Sequence, residues 1–173
     1  VYSALALAQS VVDSQQDLGL DVASMPEDSK YAEELKSAWQ KIVDFINDDF
    51  STPQAFAVMF EQIRLFNTMF KRGLKFKPEQ AKKAQMFLEF MKKWGQLLSL
   101  FNENPKTFIR ELDLQILKNR NIEVQKIEEL LQKRTEARTQ KNFALSDEIR
   151  AELTALQIQV SDLPEGSYWE VAK

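Results

Sequence analysis

The stretch Lys141-Asn142-Phe143-Ala144-Leu145-Ser146-Asp147-Glu148-Ile149-Arg150, with Gln157-Ile158-Gln159-Val160-Ser161-Asp162 and Tyr168-Trp169-Glu170-Val171 beyond it, decides how the last third of this chain folds. Asn142 is a helix-capping residue placed before an apolar series at Phe143, Ile149, Leu153 and Leu156, which predicts a helix. Ile158 and Val160 then alternate with Gln157 and Gln159, the pattern of a half-buried strand. Residues 168–171 read as a second strand, and Pro164, Glu165 and Gly166 between the two suit a chain reversal. Just upstream, Ile127, Leu130 and Leu131 share one face of a helix expected over residues 122 to about 140. Residues 121–173 therefore predict a small mixed α/β tail domain with two helices and a short antiparallel strand pair.

Outward from that tail, everything N-terminal reads as helix. Leu5, Ala8, Val11 and Val12 predict a helix over residues 2 to about 15. Residues 18–27 carry Gly19, Asp21, Ser24 and Pro26 and read as a loop. Asp28 or Ser29 caps a helix whose Tyr31, Leu35, Trp39, Ile42, Val43 and Ile46 form one stripe. Ser51 and Gln54 predict a capping box for the next helix, with Pro53 in its first turn. That helix carries Phe56, Met59, Ile63, Phe66 and Phe70 and is expected to stop at Gly73. From Pro78 to about Phe101 the apolar face is Phe87, Met91, Trp94, Leu98 and Phe101. A shorter helix from Pro105 carries Phe108, Ile109 and Leu112. Lys118 to Asn121 is the expected boundary, so residues 1–120 form a helical bundle and the class is mainly α.

Composition narrows the chemistry. Among 173 residues there is no Cys and no His. Disulfides, Cys/His zinc sites, catalytic thiols and imidazole bases are thereby excluded. Hydrophobic residues make up 44%, enough for a core, while only 4 Gly and 5 Pro favour long helices. The net charge of −3 argues against a promiscuous nucleic-acid coat. No apolar run approaches the roughly 20 residues of a membrane span. The apolar start lacks a basic leader and an initiator Met, so a piece of a longer chain is the expectation.

Asp48-Asp49-Phe50-Ser51-Thr52-Pro53-Gln54-Ala55 resembles the bundle signature of cysteinyl-tRNA synthetases, in the region called the DALR helical bundle. The charged and aromatic helix pair, closing on Gly166-Ser167-Tyr168-Trp169, resembles that family's anticodon-binding tail. The likeness covers nearly the whole chain. The family's His-Ile-Gly-His and Lys-Met-Ser-Lys-Ser signatures and its zinc ligands are absent, so the resemblance implies a C-terminal half without the aminoacylation domain. ATP and zinc are then expected only in that missing domain, and no cofactor or metal in this fragment. The implied partners are a cysteine tRNA and the missing catalytic domain, with no membrane, in a cytoplasmic monomer. One departure is Gln157, where the family usually has Gly. Either Gln157 adopts a left-handed cap at some cost, or the turn is built differently.

By the same resemblance, the base-reading positions carry over as Arg138, Asp147 and Asp162, with the stacking aromatic at Phe143. Arg138 and Asp147 would share the first anticodon base, a guanine, and Asp162 would read the middle base, a cytosine. The chemistry is apt, because splayed loop bases are read by stacking and by their edges. Guanine and cytosine both offer N–H donors to a carboxylate. Phe143 and Asp147, four apart, share a helix face. Each residue also has a plainer reading. Asp147 and Arg150 make an exposed helix pair, Phe143 anchors a core, Asp162 forms a turn, and Trp169 fills the core under its strand.

A basic band, Lys71, Arg72, Lys75, Lys77, Lys82 and Lys83 with Lys92 and Lys93, faces few acids. It could follow a tRNA backbone, or it is the solvated face opposite Phe87, Met91 and Trp94. The function expected is tRNA recognition for an enzyme that attaches cysteine to tRNA using ATP. A relative that joins cysteine to a sugar amine lacks the tail and fits less well. A helical interaction module without an RNA role is the alternative. Catalysis by this piece alone is not expected, since no nucleophile, base or metal constellation is visible.

Overall fold

Side-chain caps start two of the α-helices. In the computed structural model, which describes residues 1–70, 76–163 and 166–172, Asp28 Oδ1 accepts the Tyr31 amide at 2.9 Å and starts the helix Ser29–Asn47 (α2). Before it lie Tyr2–Gln16 (α1) and a single 3₁₀ turn, Val22–Ser24, inside the expected loop. After it come Thr52–Met69 (α3), Pro78–Leu98 (α4) and Pro105–Asn119 (α5). Val124–Thr139 (α6), Phe143–Ala155 (α7) and the strands Ile158–Leu163 (β1) and Gly166–Val171 (β2) complete the described chain.

The expected capping box at Ser51 and Gln54 takes another form. Ser51 caps no amide; its hydroxyl donates instead to Gln54 Oε1. The reversal before it is built by Asp49 and Phe50, both at positive φ (52° and 56°). Such a conformation is costly for residues with a Cβ. A box-like contact appears at α4, where the Lys77 amide donates to Gln80 Oε1 at 2.9 Å. There Pro78 fills a first-turn position whose N–H has no helical partner anyway. The expected stop at Gly73 lies outside the described residues; α3 itself ends at Met69, with extended Phe70 after it. α4 stops short of Phe101, because the chain turns back over Gly95. A Cβ on Gly95 would sit 2.5 Å from the Leu100 carbonyl oxygen, so only glycine admits that approach.

Residues 1–106 and 107–173 form two compact units. In the first, α1 lies against α4 and α2 against α3. Aromatic rings fill its core: Phe66 stacks on Phe87 at 4.2 Å and Phe56 meets Trp94 at 4.7 Å. The helical stripes supply these rings at three- and four-residue spacings. The second unit includes most of α5, which the sequence pattern had grouped with the bundle up to residue 120. The physical reason is visible in its apolar face. Leu117 joins Ile127, Leu131, Leu153, Ile158 and Trp169 in one core, and the Arg110 guanidinium lies 4.3 Å over the Trp169 ring. Trp169 is therefore a core residue, as its plainer reading held.

Candidate nucleic-acid interface

The tail hairpin pairs Ile158 with Val171, Val160 with Trp169 and Asp162 with Ser167. Alternate residues of a strand share a face, so Asp162 continues the Ile158 and Val160 side that packs on the helices. On α6 the buried stripe Ile127, Leu130 and Leu131 continues into Arg134, which is 5% exposed, and Ala137. Two apolar surfaces thus end in polar residues at the same place, Arg134 and Arg138 from the helix and Asp162 from the strand.

There the charges interlock. Arg134 donates to both carboxylate oxygens of Asp162, Nη1 to Oδ1 at 2.8 Å and Nη2 to Oδ2 at 2.9 Å. Arg138 Nη1 donates to Oδ2, and the Ser167 hydroxyl to Oδ1 at 3.0 Å. The Arg134 hydrogen bonds hold the Asp162 carboxyl far below the usual carboxylate range; burial opposes this, while Ser167 and Arg138 add to it. The Arg134 pKa is raised in return, first by its hydrogen bonds to Asp162 and against burial, with the Asp147 charge contributing through space. The side chain of Asp162 is nonetheless 44% exposed and that of Arg138 47%, whereas that of Arg134 is 6% exposed.

These groups line a concave pocket of about 470 Å³ with Phe143, Ser146, Asp147, Arg150 and Val160. Asn142 Oδ1 accepts the Leu145 amide at 3.2 Å, fixing the start of α7 so that Phe143 and Asp147 stand on one face. Phe143 is 63% exposed and is not the core anchor of its plainer reading. Nor do Asp147 and Arg150 form the helix pair of their plainer reading; neither enters an ion pair among the described residues. The pocket thus gathers Arg138, Phe143, Asp147 and Asp162 and adds Arg134, Ser146 and Arg150. Arg134 had a sequence signal: a charge on the apolar stripe of α6, opposite an Asp of core-facing strand parity.

Below the pocket, Gln157 takes the left-handed cap, at φ 58°. Its amide donates to the Thr154 carbonyl at 2.9 Å, and its carbonyl accepts the Ala172 amide at 2.7 Å. The turn is therefore the one that a glycine would make, with Gln bearing the strain.

The basic band fares differently. Lys82 is buried and its Nζ donates to the Ala23 carbonyl at 2.8 Å. It is a packing residue and not an RNA backbone contact, because α4 turns it toward the 3₁₀ segment. Lys83 pairs with Asp28 at 2.8 Å. Lys77, Lys92 and Lys93 are exposed. Lys71, Arg72 and Lys75 lie outside the described residues.

The chain is thus a helical unit followed by a second unit of helices and a hairpin, with a polar pocket between α6, α7 and β1. Residues 41–102 match the DALR domain family, and residues 124–169 match the cysteinyl-tRNA ligase anticodon binding domain. Similar proteins include the cysteine–tRNA ligase of Bdellovibrio bacteriovorus, 44% identical over 100% of this chain and 34% of the relative. That of Maridesulfovibrio salexigens is 39% identical over 99% of this chain and 34% of the relative, and that of Actinobacillus pleuropneumoniae is 34% identical over 90% and 29%. The chain belongs to the cysteinyl-tRNA synthetase family, through its DALR and anticodon-binding portions. It spans about a third of the length of the curated relatives that it matches. Among the described residues no helix is long and apolar enough to cross a membrane.

Proposed function

We propose that the pocket between α6, α7 and β1 reads the anticodon of a cysteine tRNA. The observation that supports this best is the meeting of Arg138, Phe143, Asp147 and Asp162 around one concavity. In this reading Phe143 offers a ring for a base to stack on, worth about 1–3 kcal/mol. Asp147 accepts the edge donors of the first base, a guanine, and Arg138 donates to its acceptors. Asp162 accepts the amine of the middle base, a cytosine. Lys77, exposed in the first unit, would meet phosphates, which position RNA without specifying it.

The rest of a full-length protein would then supply ATP- and zinc-dependent attachment of cysteine to the tRNA, in the cytoplasm and as a monomer. The test is a titration of this chain, at one stated low salt, against a cysteine tRNA and the same tRNA with its anticodon replaced. Preference for the native anticodon is expected. Equal, salt-sensitive binding would reduce the RNA contact to phosphates, and no binding to either would favour a helical interaction module.

A further inference from the structure

Three donors hold Asp162, and they are not equivalent. Arg138 reaches it from an exposed side chain, and Ser167 stands across the hairpin in register with it. Arg134 lies behind it, its side chain 6% exposed against 44% for Asp162. Its planar fork meets both oxygens at 2.8 and 2.9 Å, and a bidentate pair of this kind sets the plane of the carboxylate as well as its charge. Oδ1 is filled by Arg134 and Ser167, while Oδ2 takes Arg134 and Arg138. Of these, only Arg138 is a long exposed side chain that an incoming base could displace. Arg134 Nε is also buried and donates to no group among the described residues.

We infer that Arg134 is the positioning residue for middle-base recognition: it fixes Asp162 in one ionised orientation from behind, and the base takes the side of Oδ2 that Arg138 holds. This rests on the anticodon reading proposed above. Two consequences separate it from a merely structural ion pair. First, loss of Arg134 should affect the middle base far more than the first, because Asp147 and Phe143 are held by α7 and only the Arg138 contact to Asp162 links the two positions. Second, Lys in its place should restore the charge but not the fork, and so only part of the discrimination.

The test uses this chain with Arg134→Met, Arg134→Lys and Ser167→Ala. Each is titrated against a cysteine tRNA, one altered at the first anticodon base and one altered at the middle base, and far-ultraviolet circular dichroism checks folding. Removing one member of an ion pair leaves the other uncompensated, but Asp162 is 44% exposed and keeps Arg138 and Ser167, and Arg134→Lys, which keeps the charge, tests the idea if Arg134→Met does not fold. Arg134→Met is expected to cut middle-base discrimination about tenfold, the scale of one base-edge contact, with first-base discrimination kept within about threefold. Arg134→Lys should fall between it and the parent, and Ser167→Ala should lose about twofold to threefold at the middle base only, the low end of one net hydrogen bond, because Ser167 acts only through the carboxylate. A parent that discriminates beside an Arg134→Met that discriminates equally well, or that weakens at both positions alike, would overturn the inference alone. A parent indifferent to the anticodon would overturn the reading beneath it as well.

Discussion

Replacing Asp162 by Ala should do two separable things. It removes the carboxylate assigned to the middle base, and it leaves the Arg134 guanidinium buried without its counter-ion. Breaking a fully buried pair from one side costs about 3–5 kcal/mol, because an uncompensated charge remains inside. Here Asp162 is 44% exposed, so water screens part of the interaction, and exposed pairs contribute only about 0–1 kcal/mol. A loss of about 1–2 kcal/mol in the second unit lies between those limits. Urea unfolding followed by circular dichroism, with hydrogen exchange to assign the loss to residues 107–173, reads it directly. The stronger check adds Arg134→Met to Asp162→Ala. With the buried charge gone as well, stability should return most of the way to the parent, while middle-base discrimination stays low. A double variant less stable than Asp162→Ala alone would refute the argument, since Arg134 would then stabilise the unit by packing and not through its pair.

Three other outcomes are expected. Gln157→Gly should stabilise the second unit by about 0.5–1 kcal/mol in the same urea assay, since a left-handed residue with a Cβ costs about 1–2 kcal/mol and glycine forfeits about 0.5–1 kcal/mol of chain entropy; destabilisation would mean that the Gln157 side chain contributes more than its strain costs. Phe143→Ala should weaken binding of a cysteine tRNA by about tenfold, the scale of one base stack, and leave urea stability within about 0.5 kcal/mol because the ring is exposed; unchanged binding would remove Phe143 from the interface. The Asp162 carboxyl, held below its ordinary value of about 3.9, contributes stability that is full above that pH and is lost as pH falls below it. Parent stability should thus drop more steeply below about pH 4 than that of Asp162→Ala, and parallel pH profiles would contradict the paired carboxylate.

Much of the second unit was legible because its signals are local. Asn142 before an apolar helical series, and Ile158 and Val160 in alternation, needed only the periods of helix and strand. The first-unit stripes were legible for the same reason, Tyr31, Leu35 and Ile42 recurring at helical spacing and all becoming buried. Ser51 was less tractable: its type suits a cap, but the left-handed pair at Asp49 and Phe50 brings the chain in at an angle that turns its hydroxyl to Gln54. Lys82 showed the same limit, since charge suggests solvent while helix phase and a distant carbonyl at Ala23 hold it inside.

What the sequence by itself determined was the mainly α class and the hairpin tail. What only the tertiary structure decided was partnership. α5 sits in the second unit because Leu117 and Arg110 find the core and the Trp169 ring there. Arg134 belongs to the site because two buried faces, 28 residues apart in the chain, end in opposite charges at one point. Periodicity assigns a face to each residue from its near neighbours, but which faces meet is set by the packing of the whole unit, and the pair forms only where that packing brings a buried guanidinium against a half-exposed carboxylate.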